Sequence, residues 1–275
     1  MTLQEYVNTL KDKRIAVIGI GVSNEPLIEL LLKNGCYVTA CDKRTMQEMG
    51  DEGRKLKAMG AELCLGEDYL EHLDQDVIFR TPGLMPFDEH LEKAKARGAV
   101  VTSEMEVFMS LCPCRTIAIT GSDGKTTTST IISELLKAAG YRVHLGGNIG
   151  HPLLCETPDI RPDDVTVLEL SSFQLHSMKC APDVAVITNI GFSHIESLGS
   201  QQNILRAKLE IIDGLKKDGV PTQDSFSIRT MDIQNITRAF PKHIYPISRI
   251  STRSRTVPPR STALSTAYMT ECQGR

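Results

Sequence analysis

The sequence predicts an α/β protein made of two successive parallel sheets, and a repeated pattern supports this prediction. Short runs rich in β-branched residues alternate with helical stretches through the first hundred residues, and the alternation restarts after residue 115. Strand–helix–strand repeats are typical of parallel sheets, whose right-handed crossovers place helices on both faces. A chain of 275 residues is long enough for two such units.

The first unit is predicted to span residues 1–111. Its predicted strands are Arg14–Ile18, Tyr37–Cys41, Ala61–Leu65 and Val77–Arg80, and its predicted helices are Leu27–Lys33, Glu48–Met59 and Glu89–Arg97. We expect the boundary at Leu111–Arg115, where Pro113 interrupts the pattern.

The second unit is predicted to span residues 112–220. Its predicted strands are Thr116–Thr120, Val165–Leu170 and Val184–Thr188, and its predicted helices are Thr128–Ala139 and Gln201–Leu215. Residues 221–275 differ, because they contain fifteen Ser or Thr but only three acidic residues and keep no helical or strand period. We expect an irregular tail there, disordered or translated from a shifted frame.

Composition excludes some partners. With a net charge of −3 and 24% charged residues, the chain has no bias toward nucleic acid or an anionic membrane. Its apolar runs are shorter than the roughly 18 residues of a membrane-spanning helix, and its start lacks an apolar signal core. We therefore expect a cytoplasmic monomer with reduced thiols, in which Cys112 and Cys114 stand too close in sequence for zinc.

The strongest motif is Ile119–Thr128, which lies between a predicted strand and a predicted helix. Such a loop holds phosphates, because backbone N–H groups and the helix N-terminus attract anions. The ammonium group of Lys125 can reach the β- and γ-phosphates of a nucleotide, and a following threonine hydroxyl can bind Mg²⁺. Ile119 stands where the common phosphate-loop pattern has its first glycine. The predicted nucleotide-binding residues are Gly121, Ser122, Asp123, Gly124, Lys125, Thr126 and Thr127.

A second glycine-containing turn, Gly19–Asn24, follows the first predicted strand. It has two glycines of a dinucleotide-binding fingerprint, but Asn24 stands in the third position. Asp42 closes the next strand, where Rossmann domains place an acid that binds ribose. This pattern is compatible with an NAD-dependent oxidoreductase or with a structural turn, but the first alternative would leave the phosphate loop unexplained.

Five stretches in order resemble the Mur ligase family. They are the Thr-Gly-x-x-Gly-Lys-Thr core of the phosphate loop, Gly146–Gly150, Leu168–Leu175, Thr188–His194 and Arg206–Lys208. The stretch Leu168–Leu175 is most similar to the members that add D-glutamate. Ile187–Ser200 is more similar to the members that add D-alanyl-D-alanine, so a mosaic gene, a frameshift and an assembly error all remain open.

The resemblance implies an ATP-dependent ligase of peptidoglycan precursor synthesis. It would join D-glutamate to UDP-N-acetylmuramoyl-L-alanine through an acyl phosphate, with ATP and Mg²⁺ as cofactors. The implied catalytic residues are Lys125, Glu169, His194 and Lys208, and the implied metal ligands are Thr126, Glu169, His194 and a carbamylated Lys208. Glu169 also lies near the carboxyl end of a predicted strand, where a carboxylate can hold Mg²⁺.

The resemblance further implies that the Rossmann-like first domain binds the UDP part of the substrate. The matching residues are Gly21, Val22, Ser23, Asp42, Lys43, Arg44 and Gly83, and Asn148 would approach the muramoyl group from the central domain. Gly83 belongs to the turn Thr81–Gly83, which matches the family's Ser-Pro-Gly turn.

The family's third domain, which contacts the incoming amino acid, has no recognisable counterpart after residue 220. We therefore expect a truncated ligase with impaired turnover. Two alternatives remain: a ligase that adds D-alanyl-D-alanine, and a fragment that binds nucleotide or UDP-sugar without ligase activity.

Overall fold

The computed structural model describes residues 1–85, 87–149, 151–176, 178, 182–190 and 206–211, together with the backbone of 226–228. All of them belong to one contiguous unit, Met1–Arg229, which contains two parallel sheets. His194 and most of the predicted tail lie outside the described residues.

The first sheet contains five parallel strands in the order β3-β2-β1-β4-β5. The strands are β1 (Arg14–Ile18), β2 (Tyr37–Asp42), β3 (Glu62–Leu65), β4 (Val77–Phe79) and β5 (Val100–Thr102). The helices are α1 (Leu3–Asn8), α2 (Asn24–Lys33), α3 (Met46–Met49), α4 (Asp51–Ala58), α5 (Glu89–Ala96) and α6 (Glu104–Leu111). This strand order reverses between β1 and β4, as in Rossmann sheets, so the predicted fold of the first unit is confirmed.

The local sequence explains the burial of β1 and the positions at which α3 begins and ends. Four consecutive residues of β1, from Ile15 to Ile18, are buried, as expected for a strand covered by helices on both faces. The predicted helix Glu48–Met59 is divided at Gly50, whose φ of +57° ends α3. Thr45 and Glu48 form a reciprocal capping box that starts α3.

The second sheet also contains five parallel strands, in the order β10-β9-β6-β8-β7. They are β6 (Arg115–Thr120), β7 (Val143–Gly147), β8 (Val165–Glu169), β9 (Val184–Ile187) and β10 (Phe226–Ile228). The helices are α7 (Lys125–Ala138) and α8 (Ser172–Leu175), with a 3₁₀ helix at Leu154–Asp159 and a helical segment at 206–211. The predicted second α/β sheet is confirmed, with β6 at its centre.

Strands β5 and β7 and helices α1 and α6 were not predicted, and two further details of the second unit differ from the sequence prediction. Helix α7 begins at Lys125 rather than Thr128, because Gly124 caps it in the left-handed conformation at φ +78°. Strand β10 lies inside the segment predicted to be irregular, where it pairs with β9. In the part of the chain that the structure describes, no helix combines the length and apolar character needed to cross a membrane.

Two buried polar side chains connect elements of the two sheets. Arg80, which follows β4 and is 1% exposed, donates from Nη2 to the carbonyl oxygen of Phe173 in α8 at 2.8 Å. Glu104, at the start of α6, accepts a hydrogen bond from the N–H of Leu154 at 2.8 Å. Buried polar groups are costly unless they are hydrogen-bonded, so these contacts fix which surfaces meet.

We predict that Glu104 makes folding stability fall as pH rises. Burial raises the pKa of its carboxyl from 4.5 to about 7, although the bond from Leu154 opposes this. Between these values the unfolded chain releases the proton while the folded chain keeps it, so the free energy of unfolding decreases with pH. Denaturant unfolding of Glu104→Gln, measured from pH 4.5 to 7, should lack this component.

The matched control is Glu89→Gln, because the Glu89 side chain is 72% exposed on the neighbouring helix α5. It should keep the pH dependence of the parent chain. An identical pH dependence in Glu104→Gln and the parent would contradict the assignment.

Candidate functional site

The predicted phosphate loop joins the central strand β6 to helix α7. Gly121 has φ +150°, and a Cβ atom there would collide with the hydroxyl of Thr188. Gly124 is left-handed and turns the chain into the helix. The first N–H groups of α7 lack intrahelical partners, as at every helix start, and they point toward the mouth of the loop. The local backbone therefore suits an anion.

Residues after β9 hold this loop in place. The N–H groups of Ser122 and Asp123 both donate to Oδ1 of Asn189, at 3.0 and 2.9 Å. The hydroxyl of Thr188 donates to the carbonyl oxygen of Asp123 at 2.6 Å. Strand pairing accounts for these contacts, because Thr120 lies opposite Ile187 and the two chains leave the sheet side by side. The sequence analysis included Asn189 only within the family-like stretch Thr188–His194, and the structure gives it this contact with the loop.

The polar residues at the start of α7 face two directions. The ammonium group of Lys125 donates to the carbonyl oxygens of Gly121 and Ser122, at 3.0 and 3.1 Å. It therefore lies folded over the loop. Thr126 donates from its hydroxyl to Oε2 of Glu169 at 2.8 Å, whereas Thr127 is exposed.

Glu169 ends β8 and lies opposite Ile119 of β6, only 2% exposed. Its second oxygen, Oε1, accepts from the side-chain amide of Asn148 at 3.2 Å. The N–H of Asn148 donates to the carbonyl oxygen of Glu169 at 2.7 Å. Gly147, at φ +103°, permits this approach, because a Cβ atom there would collide with that carbonyl. The structure thus brings Thr126, Asn148 and Glu169 together.

Lys208 lies in the helical segment 206–211 and is 2% exposed. Its ammonium group donates to the hydroxyl of Ser172, in α8, at 3.1 Å. Burial, and after it the positive charge of Lys125, lower the pKa of Lys208 to about 8, although the negative charge of Asp123 opposes the shift. With this pKa, about a tenth of the Lys208 amine is neutral at pH 7, far more than for an ordinary lysine. The role predicted for His194 stays a prediction, since that residue lies outside the described residues.

In the first unit, the predicted substrate residues gather where the strand order reverses. Gly21, Val22 and Ser23 follow β1, and Gly83 follows the neighbouring strand β4. Gly21, Val22 and Gly83 are exposed, and Ser23 is half-buried.

Asn24, which stands in the third glycine position, is buried beside this turn. It donates from Nδ2 to the carbonyl oxygens of Ile18 and Gly19, both at 3.0 Å. The amide thus closes the turn at the end of β1, and this role accounts for the departure from the glycine fingerprint.

Asp42 and Arg44 form one connected group after β2. The carboxylate of Asp42 accepts from the N–H of Ile20 at 2.8 Å and from the guanidinium of Arg44 at 3.0 Å. Burial acts to raise the pKa of Asp42, but the hydrogen bonds from Arg44 and Ile20 outweigh it and lower the pKa. Arg44 also pairs with Glu52 at 3.2 Å, and Lys43 is exposed. Asp42 therefore orders the Gly19–Asn24 turn and orients Arg44.

Comparison with known proteins agrees with this arrangement. Residues 119–264 match the sequence profile of the Mur ligase middle domain. The UDP-N-acetylmuramoylalanine–D-glutamate ligase of Clostridium kluyveri is 47% identical over 208 residues, which are 75% of this chain and 45% of that protein. The enzyme of the same name from Ruminiclostridium cellulolyticum is 49% identical over 210 residues, 76% of this chain and 45% of that protein.

A solved structure shows the same fold. It is the UDP-N-acetylmuramate:L-alanyl-γ-D-glutamyl-meso-diaminopimelate ligase from Neisseria meningitides, with a TM-score of 0.50 and 19% sequence identity. The match covers 84% of this chain and 75% of that one. The chain spans about half the length of the two sequence relatives. The profile match, which covers more than half of the chain, shows that the chain belongs to the Mur ligase family.

Proposed function

We propose that this chain contributes the nucleotide-binding and UDP-substrate-binding parts of a ligase that adds D-glutamate to UDP-N-acetylmuramoyl-L-alanine. The juxtaposition of Lys125, Thr126 and Glu169 at the mouth of a phosphate loop carries the proposal. The names of relatives at 47% and 49% identity support the choice of D-glutamate over D-alanyl-D-alanine.

The residues at the loop fit ATP with Mg²⁺. The positive φ angles of Gly121 and Gly124 let the loop pass close to Thr188 and turn into helix α7, and Lys125 is long enough to turn from the loop carbonyls to a phosphate. Thr126 and Glu169 present oxygen atoms, the ligands that Mg²⁺ prefers. The described residues contain no cluster of three or more His, Cys, Asp or Glu side chains. The proposed metal site therefore also needs His194 and Lys208.

Lys208 can bind a metal cation only after its amine is modified, because an ammonium group repels Mg²⁺. We propose that its neutral amine adds to CO₂, which forms a carbamate and releases one proton. Burial favours the neutral amine, and Ser172 holds the nitrogen atom in place. The product would present anionic oxygen atoms toward the same site as Glu169.

The first unit is proposed to hold the UDP group. Ligands of open α/β sheets bind beyond the carboxyl ends of the strands where the strand order reverses. The exposed turn at Gly21 and Val22 and the turn at Gly83 lie on either side of that point. Arg44 and Lys43 supply positive charge for a diphosphate, and Asp42 fixes the orientation of Arg44.

The proposed reaction requires the protein to position the substrates and to stabilise the charge on the transferred phosphoryl group. It does not require a covalent nucleophile on the protein. When bound, ATP would supply a phosphoryl group to the substrate's L-alanyl carboxylate, and the D-glutamate amine would displace phosphate. Lys125 and the N-terminus of α7 would hold the phosphates, and Glu169 and Thr126 would hold the metal ion. Asn148, fixed by Glu169, would approach the muramoyl group of the substrate.

One prediction of the proposed function concerns the phosphate loop. Lys125→Ala should weaken ATP binding, measured by calorimetry with Mg²⁺, about 10- to 100-fold, or about 1.4–2.8 kcal/mol, because a charge-assisted contact is lost. The control is Lys137→Ala, at the other end of the same helix, where the lysine pairs with exposed Glu134 at 2.9 Å. Unchanged ATP affinity in Lys125→Ala would remove the assignment.

Another prediction concerns the binding of the UDP substrate by the first unit. The chain should bind UDP-N-acetylmuramoyl-L-alanine more tightly than NADH, and Asp42→Ala should weaken that binding at least about tenfold, because Arg44 loses its anchor. Asp51→Ala is the control, since the Asp51 side chain is 98% exposed. Tighter binding of NADH than of the UDP substrate would instead support the oxidoreductase alternative.

A further inference from the structure

The segment between the two sheets carries two thiols that the proposed function does not use. Cys112 follows α6, Cys114 precedes β6, and Pro113 separates them. The two sulfur atoms lie 3.7 Å apart, although both cysteines are free. The ring of Pro113 fixes one backbone angle of this link, which limits how far the thiols can separate.

The sulfur separation suits a bridging ion better than a direct bond. Two sulfur ligands at about 2.3 Å from a tetrahedral metal ion are about 3.8 Å apart, close to the spacing observed. A disulfide needs about 2.05 Å, so its formation would require the sulfur atoms to approach by more than 1.5 Å. The same distance is that of a hydrogen bond between the two thiols, so the pair is held at a spacing that chelation would need to change little.

The surroundings also favour a cation. The hydroxyl of Thr166 lies 3.1 Å from the sulfur of Cys114 and 3.5 Å from that of Cys112. The carboxylates of Asp183 and Asp164 interact electrostatically with Cys112 and Cys114 respectively. Both carboxylates are fixed, Asp183 by the N–H of Thr116 and Asp164 by His144, each at 2.8 Å. A divalent ion would displace the thiol protons to water, and the negative surroundings would favour its positive charge.

We propose that Cys112 and Cys114 form a chelating site for a soft divalent cation such as Zn²⁺ or Cd²⁺. Thiolates select soft ions. Cys112 is only half-buried, so water can complete the coordination. Two protein sulfurs completed by water form an exchangeable site rather than a four-ligand structural one, and the described residues hold no group of three or more His, Cys, Asp or Glu that could bind a metal ion. The site is independent of the proposed ligase function.

The test is titration of the full, reduced, metal-free chain with Cd²⁺, followed by the ultraviolet charge-transfer absorption of cadmium thiolate. One ion per chain should bind, and Cys112→Ser or Cys114→Ser should lower the affinity at least about tenfold. Cys155→Ser, which changes another half-buried thiol, should leave it unchanged. Equal affinity in Cys112→Ser and the parent chain would overturn the proposal.

Two further measurements test whether misfolding of the variants, or Cd²⁺ binding by Cys180 and Cys272, could explain the change in affinity. These two cysteines lie outside the described residues. In the unmodified chain, Cd²⁺ should protect Cys112 and Cys114 from alkylation by iodoacetamide, as detected by peptide mass. The same titration in the double variant Cys180→Ser, Cys272→Ser should retain the bound ion. Absence of protection, or loss of binding in the double variant, would contradict the assignment.

Discussion

The candidate site depends on the register between β6 and β8. Because Ile119 lies opposite Glu169, the end of one strand becomes the phosphate loop at the point where the other places a buried carboxylate. The hydrogen bonds to Glu169 come from a hydroxyl and an amide, those of Thr126 and Asn148, rather than from a cation. A carboxylate removed from water and held by neutral donors favours an added positive charge. A slip of one residue would move this carboxylate to the other face of the sheet.

The first unit also has an acidic side chain at the end of a strand, but the partners of that side chain are different. There Asp42 also ends a strand, but it already has a cationic partner in Arg44 and a backbone partner in Ile20. Its charge is balanced by Arg44, so it orders a turn and orients an arginine, whereas the carboxylate of Glu169 accepts from the neutral donors Thr126 and Asn148, as the proposed metal site requires. Two acids at similar positions in similar sheets therefore differ in the charge of their partners.

The sequence was most informative where local rules dominate. Buried strands such as β1 and β6 appeared as continuous apolar runs, and glycine and lysine marked the phosphate loop. Strand β7 contains His144 and two glycines in place of β-branched residues, so periodicity did not reveal it. The long-range partners of Arg80 and Lys208 could not be predicted, because Phe173 and Ser172 approach them only after the sheets form. The contact between the sulfur atoms of Cys112 and Cys114 could not be predicted either, because residue spacing alone does not fix where two side chains point.

The central claim is that Glu169 holds a metal ion for a nucleotide bound at the phosphate loop. The most direct measurement is ATP affinity with Mg²⁺ and with excess chelator, in the parent chain and in Glu169→Gln, which keeps a similar shape. The account predicts that Mg²⁺ strengthens ATP binding to the parent and that most of this gain, at least about tenfold, is lost in the variant. An equal gain from Mg²⁺ in both proteins would contradict it.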